Sequence, residues 1–283
     1  MTHPQIAAFA RVAKENEPPV RTLEGHNTKL SRTMHGFSYD NIHEEIVVNS
    51  PLAQAILTFN GAANGEQPPI RVIQGAKTRI LGVGYGALST VTADPENNEI
   101  FLPVSGGGYR DAGTNGPIGV LVFNRTDNGD VAPKRFLTGA DTGIRDANAH
   151  VAIDPKANLL IVKTNGSLRI FDRAADGNTK PLRVIAGPKT AGFGGGQMAT
   201  YPEKGYIVAN SMDGYAVWSV YDDGDVAPRW RIPVKEIVGR VSGHPSGGRQ
   251  NVGVALIPHA KEIMVSSSQS NRVVTFFFPE MFE

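Results

Sequence analysis

Short runs in which hydrophobic and polar residues alternate are spread along the whole chain. Two examples are Ala55-Ile56-Leu57-Thr58-Phe59 and Leu168-Arg169-Ile170-Phe171. A period of two with β-prone side chains is typical of a half-buried strand. Turn segments such as Asn128-Gly129-Asp130 follow these runs, and their residues tolerate positive φ angles. The pattern therefore predicts strand pairs joined by tight turns.

One phrase that contains such a strand pair occurs five times, beginning at Gln5, Ala55, Gly119, Leu168 and Tyr215. Each copy carries an aromatic anchor, and a proline follows ten residues after the anchor. The anchors are Phe9, Phe59, Phe123, Phe171 and Trp218, and the prolines are Pro19, Pro69, Pro133, Pro181 and Pro228. An internal repeat with a period of about 50 residues indicates an array of equivalent supersecondary units.

A second phrase alternates with the first and predicts hairpins whose turns contain Asp40, Asp94 and Asp154. Because these acids recur at one place, we interpret them as turn formers whose carboxylates accept backbone N–H groups, not as metal ligands. The arginines at offset twelve from the anchors, among them Arg71 and Arg135, are interpreted as charges on edge strands.

The strand count in chain order is two, then four sets of four, then three. This count predicts an all-β β-propeller of four-stranded antiparallel blades. Five inner hairpins give five blades, and six blades are the alternative because residues 5–9 and 273–276 both match a third strand. We expect a single propeller domain over residues 1–283. Its N- and C-terminal strands would close the ring and remove free sheet edges.

The amino-acid composition of the chain excludes several classes of function. The 283 residues include 28 Lys and Arg, 27 Asp and Glu and no Cys, for a net charge of +1. This balance provides no field for nonspecific nucleic-acid binding, and the lack of Cys excludes thiol catalysis and Cys-ligated zinc. No run of about 18 apolar residues is present, so we expect a soluble protein without membrane insertion.

Residues 169–190 and 35–50 resemble the NHL-type and lactonase-like β-propeller superfamily, and the resemblance covers nearly the entire chain. It implies a small-molecule site at the mouth of a central channel, where enzymes of this kind hold metal ligands. Met34-His35-Gly36-Phe37 is similar to the His-Gly opening of an inner strand in the lyase members. The resemblance also implies a secreted or periplasmic protein whose export signal has been removed.

Inner strands begin near the axis of a propeller, so equivalent residues of the hairpins are expected to form a ring there. The aligned residues are His35, Gly36, Ser89, Thr90, Asn148, His150, Gln197 and Asn251, with Arg249 close by in sequence. Histidine, amide and hydroxyl groups can hold one divalent metal, calcium or zinc, or act on a neutral polar substrate as acid and base. The alternative is that they only hydrogen-bond one another and water.

We expect the glycine-rich stretches 106–108 and 194–196 to be loops above the mouth.

Two functions follow from this ring. The first is a binding or scaffold protein that holds a small polar molecule, a glycan or a protein at the channel mouth. The second is a metal-assisted lyase or lactone hydrolase, with His35 and His150 as metal ligands or catalytic residues. In that case the substrate contacts are Asn148, Gln197, Asn251, Thr90 and Arg249. The fold does not choose between the two functions.

Overall fold

The computed structural model describes residues 5–31, 36–80, 90–104, 118–145, 149–164, 166–211, 214–232, 252–267 and 272–283. The strands are β1 (Gln5–Ala8), β2 (Arg21–Glu24), β3 (Phe37–Asp40), β4 (Glu45–Ser50), β5 (Ala55–Asn60), β6 (Arg71–Gln74), β7 (Thr92–Asp94), β8 (Glu99–Val104), β9 (Gly119–Asn124), β10 (Arg135–Thr138), β11 (His150–Asp154), β12 (Leu159–Thr164), β13 (Ser167–Asp172), β14 (Arg183–Ile185), β15 (Phe193–Tyr201), β16 (Tyr206–Ser211), β17 (Gly214–Ser219), β18 (Trp230–Ile232), β19 (Val252–Ile257), β20 (Glu262–Ser267) and β21 (Arg272–Phe277).

Helical structure in these ranges is short. It consists of the helix Pro279–Phe282 and the 3-10 turns His26–Thr28, Pro51–Ala53, Ala76–Thr78, Ala140–Thr142, Pro188–Thr190 and Pro258–Ala260. None of the helices in the described part of the chain is long and apolar enough to cross a membrane.

The strands form antiparallel sheets in chain order. Blade 1 is β3–β6, blade 2 is β7–β10, blade 3 is β11–β14, blade 4 is β15–β18, and blade 5 consists of β19–β21 within the described residues. The prediction of an all-β β-propeller with five blades is confirmed. Strand β21 is the third strand of blade 5, while β1 pairs with β2 in a separate two-stranded sheet. Closure of the ring by the terminal strands stays a prediction.

The chain divides into two compact units, Met1–Thr138 and Gly139–Glu283. The first unit contains β1–β10 and the second contains β11–β21. The expectation of a single domain stays a prediction.

The turn between the third and fourth strands of one sheet ties that sheet to its neighbour. In the first unit, the Gly129 amide donates to the Val72 carbonyl at 2.7 Å, and the Gln74 amide donates to the Gly129 carbonyl at 3.1 Å. The Asn128 side chain accepts the Val72 amide at 2.8 Å. Parallel bridges at Gly65 and Gly224 repeat this arrangement. The predicted Asn-Gly and Asp-Gly turns therefore also join one blade to the next.

Gly75 ends the fourth strand of blade 1 at a position that only glycine suits. Its φ of 137° lies in the left-handed half of conformational space, and a Cβ there would overlap the Asp130 carboxylate. That carboxylate accepts the Lys77 amide at 2.7 Å, so a displaced Asp130 would lose this bond.

We expect Gly75→Ala to lower the free energy of unfolding by about 1 to 3 kcal/mol for the backbone alone, with a further loss from Asp130. Gly129→Ala is the matched control, because Gly129 also has positive φ but its Cβ would meet no atom within 4 Å. Urea denaturation of both variants measures the difference. Equal losses would show that Asp130 does not constrain Gly75.

The recurring hairpin acids act as turn formers, as predicted. Asp40 Oδ1 accepts the Ile42 and His43 amides at 3.0 and 2.8 Å, and Asp154 Oδ1 accepts the Ala157 amide at 2.9 Å. Asp94 makes the corresponding bond to the Asn97 amide.

Arg71 and Arg135 lie on the fourth strands of blades 1 and 2, which are edge strands as interpreted, but their charges are paired. Their side chains are 17% and 13% exposed. Arg71 pairs with Glu45, and Arg135 forms a bidentate pair with Glu99 at 2.8 and 2.7 Å. In blades 1 and 2 the glutamate that opens the second strand therefore pairs with an arginine on the fourth strand of the same blade.

Candidate functional site

In four of the five blades the second strand changes from apolar to polar near its end; the exception is blade 2, where it ends with Pro103 and Val104. Its second to fourth residues are apolar in all five blades, for example Leu160-Ile161-Val162 in β12. The fifth residues are Asn49, Pro103, Lys163, Asn210 and Ser266. The strand register pairs Lys163 with His150 and Ser266 with Gly253. The polar residues therefore lie at the end where the first strands begin. We call His150, Lys163, Gln197, Asn210 and Ser266 the polar end of the second unit.

Three of the predicted site residues are described, namely Thr90, His150 and Gln197. His35, Asn148, Arg249 and Asn251 lie outside the described residues. In the first unit, Thr90 is 6% exposed and packs against Gly36, where an added Cβ would lie 2.7 Å from Thr90 Cγ2. The hairpin alignment therefore gave equivalent positions to two residues, Gly36 and Thr90, that lie next to each other. The roles assigned to these residues stay predictions.

Lys163 is the residue that sequence reasoning missed. It is 4% exposed, as is His150 across the strand pair, and its ammonium donates to the Gly196 carbonyl at 2.6 Å. The bond links β12 of blade 3 to β15 of blade 4. The available signal was that Lys163 is the single charged residue among the five equivalent strand positions.

The glycine-rich stretch 194–196 belongs to strand β15, which corrects the expectation of a loop. The register of β15 with β16 shifts between Phe193 and Met198, and Gly196 has a φ of 118°. A glycine tolerates this conformation, and the irregular strand allows the Gly196 carbonyl to accept the bond from Lys163.

Gln197 connects the same region to blade 5. Its side chain is half-buried, and its Oε1 lies 3.1 Å from the position of a Cβ built on Gly253. The Gly253 amide donates to the Ser266 hydroxyl at 3.1 Å. Within blade 4, Asn210 hydrogen-bonds Tyr215, and burial raises the pKa of that phenol. The register thus makes Gly253, two residues after Asn251, the blade 5 equivalent of His150.

Burial sets the protonation states of the two bases. Burial lowers the pKa of Lys163 to about 7. Burial first, and the neighbouring Lys163 charge second, lower the pKa of His150 to about 3. His150 is therefore a neutral imidazole at pH 7, while the Lys163 amine exchanges between its charged and neutral forms.

This pair disfavours a metal ion at His150, because the Lys163 ammonium would repel a divalent cation beside it. Within the described ranges, no cluster of three or more His, Asp or Glu side chains is arranged to hold a metal. The hypothesis of a site shared by His35 and His150 stays a prediction.

The low pKa of His150 predicts a specific acid sensitivity. Between pH 6.5 and 3 the unfolded chain binds a proton at this residue and the folded chain does not, so stability falls as the pH falls. We expect His150→Gln to lose less stability than the wild type over this window. Urea denaturation at several pH values measures both curves. Parallel curves would contradict a depressed His150 pKa.

Comparisons with known proteins support the fold alone. No protein-family model and no curated protein matches the sequence. A functionally unknown protein from Desulfotomaculum acetoxidans DSM 771 is similar, with a TM-score of 0.51, 10% identity and coverage of 90% of this chain and 74% of that chain. KlHsv2 with loop 6CD replaced by a Gly-Ser linker has a TM-score of 0.47, 13% identity and coverage of 91% and 68%. The resemblance to the NHL-type and lactonase-like superfamily stays a prediction.

Proposed function

We propose that this β-propeller is a binding protein that holds a small polar ligand at the polar end of the second unit. The observation that carries the proposal is the burial of Lys163 and His150, which are paired across β12 and β11, with the Lys163 ammonium bonded to the Gly196 carbonyl of β15. Burial of such groups costs stability unless they find partners. A buried ionisable residue that is retained despite this loss of stability is a candidate functional residue.

The fold itself does not demand polar residues at this level. Blade 2 carries Pro103 at the strand position that Lys163 occupies in blade 3, and its sheet is still complete. Beside Lys163, the Thr164 hydroxyl is buried and makes no hydrogen bond within the described residues. The Lys163 ammonium has three N–H donors, and a bound polar molecule would supply further acceptors beside the Gly196 carbonyl.

Thermal melting in the presence of single polyols, sugars, hydroxy acids and small amides tests the proposal. A ligand that binds only the folded state raises the melting temperature. We expect at least one compound to stabilise the wild type and to lose its effect in Gln197→Ala. Gln67→Ala is the control, because Gln67 lies exposed in a turn of the first unit. No stabilising compound, or equal effects in both variants, would refute the proposed site.

The alternative function is a lyase or lactone hydrolase in which His150 acts as the base. Its imidazole is neutral at pH 7, as a base requires, but a pKa of about 3 makes it weak. Turnover of a lactone by the wild type, lost in a His35→Ala and His150→Ala double variant, would favour this alternative. Glycans and proteins as ligands also stay predictions.

A further inference from the structure

Buried charged residues of this protein differ in whether they form ion pairs. Each of two buried carboxylates has two cationic partners: Glu45 contacts Arg71 and Arg125, and Glu99 contacts Lys134 and Arg135. Lys163 is buried equally deeply, yet none of the described carboxylates forms an ion pair with it. The Gly196 carbonyl is its hydrogen-bond acceptor in the described part of the chain. Lys163 is therefore a buried cation that lacks an anionic partner there.

Resting on the proposed function, we infer that the ligand presents a carboxylate to the ammonium of Lys163. The inference stands on the geometry of the Lys163 side chain: its ammonium is buried and donates to the Gly196 carbonyl, one residue before the half-buried Gln197 in β15.

The ammonium has three N–H donors, and the Gly196 carbonyl takes one of them. Two N–H donors of Lys163 remain for a carboxylate, whose two oxygens both accept hydrogen bonds. A charge-assisted hydrogen bond of this kind is about twice as strong as a neutral one. The exclusion of water at a residue with 4% exposure increases the attraction further.

Other ligand charges fit less well. A divalent cation would be repelled by the ammonium, and a neutral polar molecule would leave the buried charge uncompensated. Among the described residues the neutral His150 imidazole adds no second cation, so one negative charge balances Lys163. A monocarboxylate is therefore the ligand class that matches the charge of this end of the unit.

Acetate and acetamide provide a matched pair of probes, because they share a shape and differ in charge. The melting temperature is measured against the concentration of each probe, at constant ionic strength maintained with sodium chloride, for the wild type, Lys163→Met and Lys156→Met. Lys156 is the control lysine, since its side chain is 52% exposed and pairs with Glu203 on the surface.

We expect acetate to stabilise the wild type and Lys156→Met, and acetamide to leave both unchanged. Lys163→Met should bind acetate about tenfold more weakly or worse, as expected for the loss of one charged hydrogen bond. Equal responses to the two probes, or an unchanged acetate response in Lys163→Met, would overturn the inference.

A second measurement needs no variant. Trace acetylation of the wild-type protein by acetic anhydride, followed by mass spectrometry, reports the reactivity of each lysine. We expect glycolate, a second monocarboxylate, to slow the labelling of Lys163 and not that of Lys156. Equal labelling of Lys163 with and without glycolate would overturn the inference. If neutral polyols stabilise the protein through Gln197 while acetate does not, the proposed binding site stands and the carboxylate assignment fails.

Discussion

Lys163→Met is expected to stabilise the protein at pH 7. The folded state keeps the pKa of Lys163 near 7, whereas an unfolded lysine titrates near 10.5. A shift of this size corresponds to a cost of about 3 to 5 kcal/mol at neutral pH. Methionine has a similar unbranched shape but no charge to bury. The Gly196 carbonyl loses its donor, which offsets about 1 kcal/mol, so the net gain is about 2 to 4 kcal/mol.

Because the pKa of Lys163 is lowered in the folded state, the stability gained by Lys163→Met depends on pH. Between pH 7 and 10.5 the unfolded chain binds more protons at Lys163 than the folded chain, so wild-type stability from this group rises with pH. The advantage of Lys163→Met should be constant below pH 7 and shrink towards pH 10.5. Urea denaturation across this range measures it, with Lys156→Met as the control. A destabilised variant would show that Lys163 supports the fold and is not kept for binding.

Phe59→Ala is expected to cause the largest loss of stability. Phe59 is fully buried and packs in a cluster with Leu23, Val48 and Leu57. Truncation of a buried phenylalanine costs about 3 to 5 kcal/mol through lost burial and the cavity that remains.

Phe9→Ala is the matched control for Phe59→Ala. Phe9 occupies the same place in the repeat, but its side chain is 55% exposed, so its loss should change stability by about 0.5 kcal/mol or less. The midpoints of chemical denaturation compare the two variants. Equal losses would contradict the difference in burial between the two repeat copies.

This pair of anchors shows what the repeat could and could not predict. The spacing of Phe9 and Phe59 relative to the following proline correctly indicated two strands and a turn in both copies. The spacing determines the register of the two strands. The burial of the aromatic anchor depends on whether further strands pack against that strand pair. The sheet of β1 and β2 has two strands, while Phe59 lies in a sheet of four. The fold was predictable from the pattern, and the exposure of Phe9 was not.

The candidate site was predictable only in part. Alignment of the hairpins placed Thr90 just before β7, His150 at the start of β11 and Gln197 within β15, because hairpin register follows from the turn. It missed Lys163, which lies on a second strand and meets Gly196 only through the packing of two blades. The choice of Asn251 stays a prediction, because Asn251 lies outside the described residues. The edge-strand positions of Arg71 and Arg135 were predictable, whereas their ion pairs were not, because the glutamate partners lie on a different strand.

In the proposed function, the polar end of the second unit binds a small polar ligand. Crystals of the protein soaked with a library of small polar fragments test it most directly, because the density shows where each fragment binds. We expect fragments to bind within hydrogen-bond distance of Lys163 or Gln197. Fragments that carry a carboxylate should bind at the Lys163 ammonium. Fragments that bind only elsewhere on the molecule would contradict the claim.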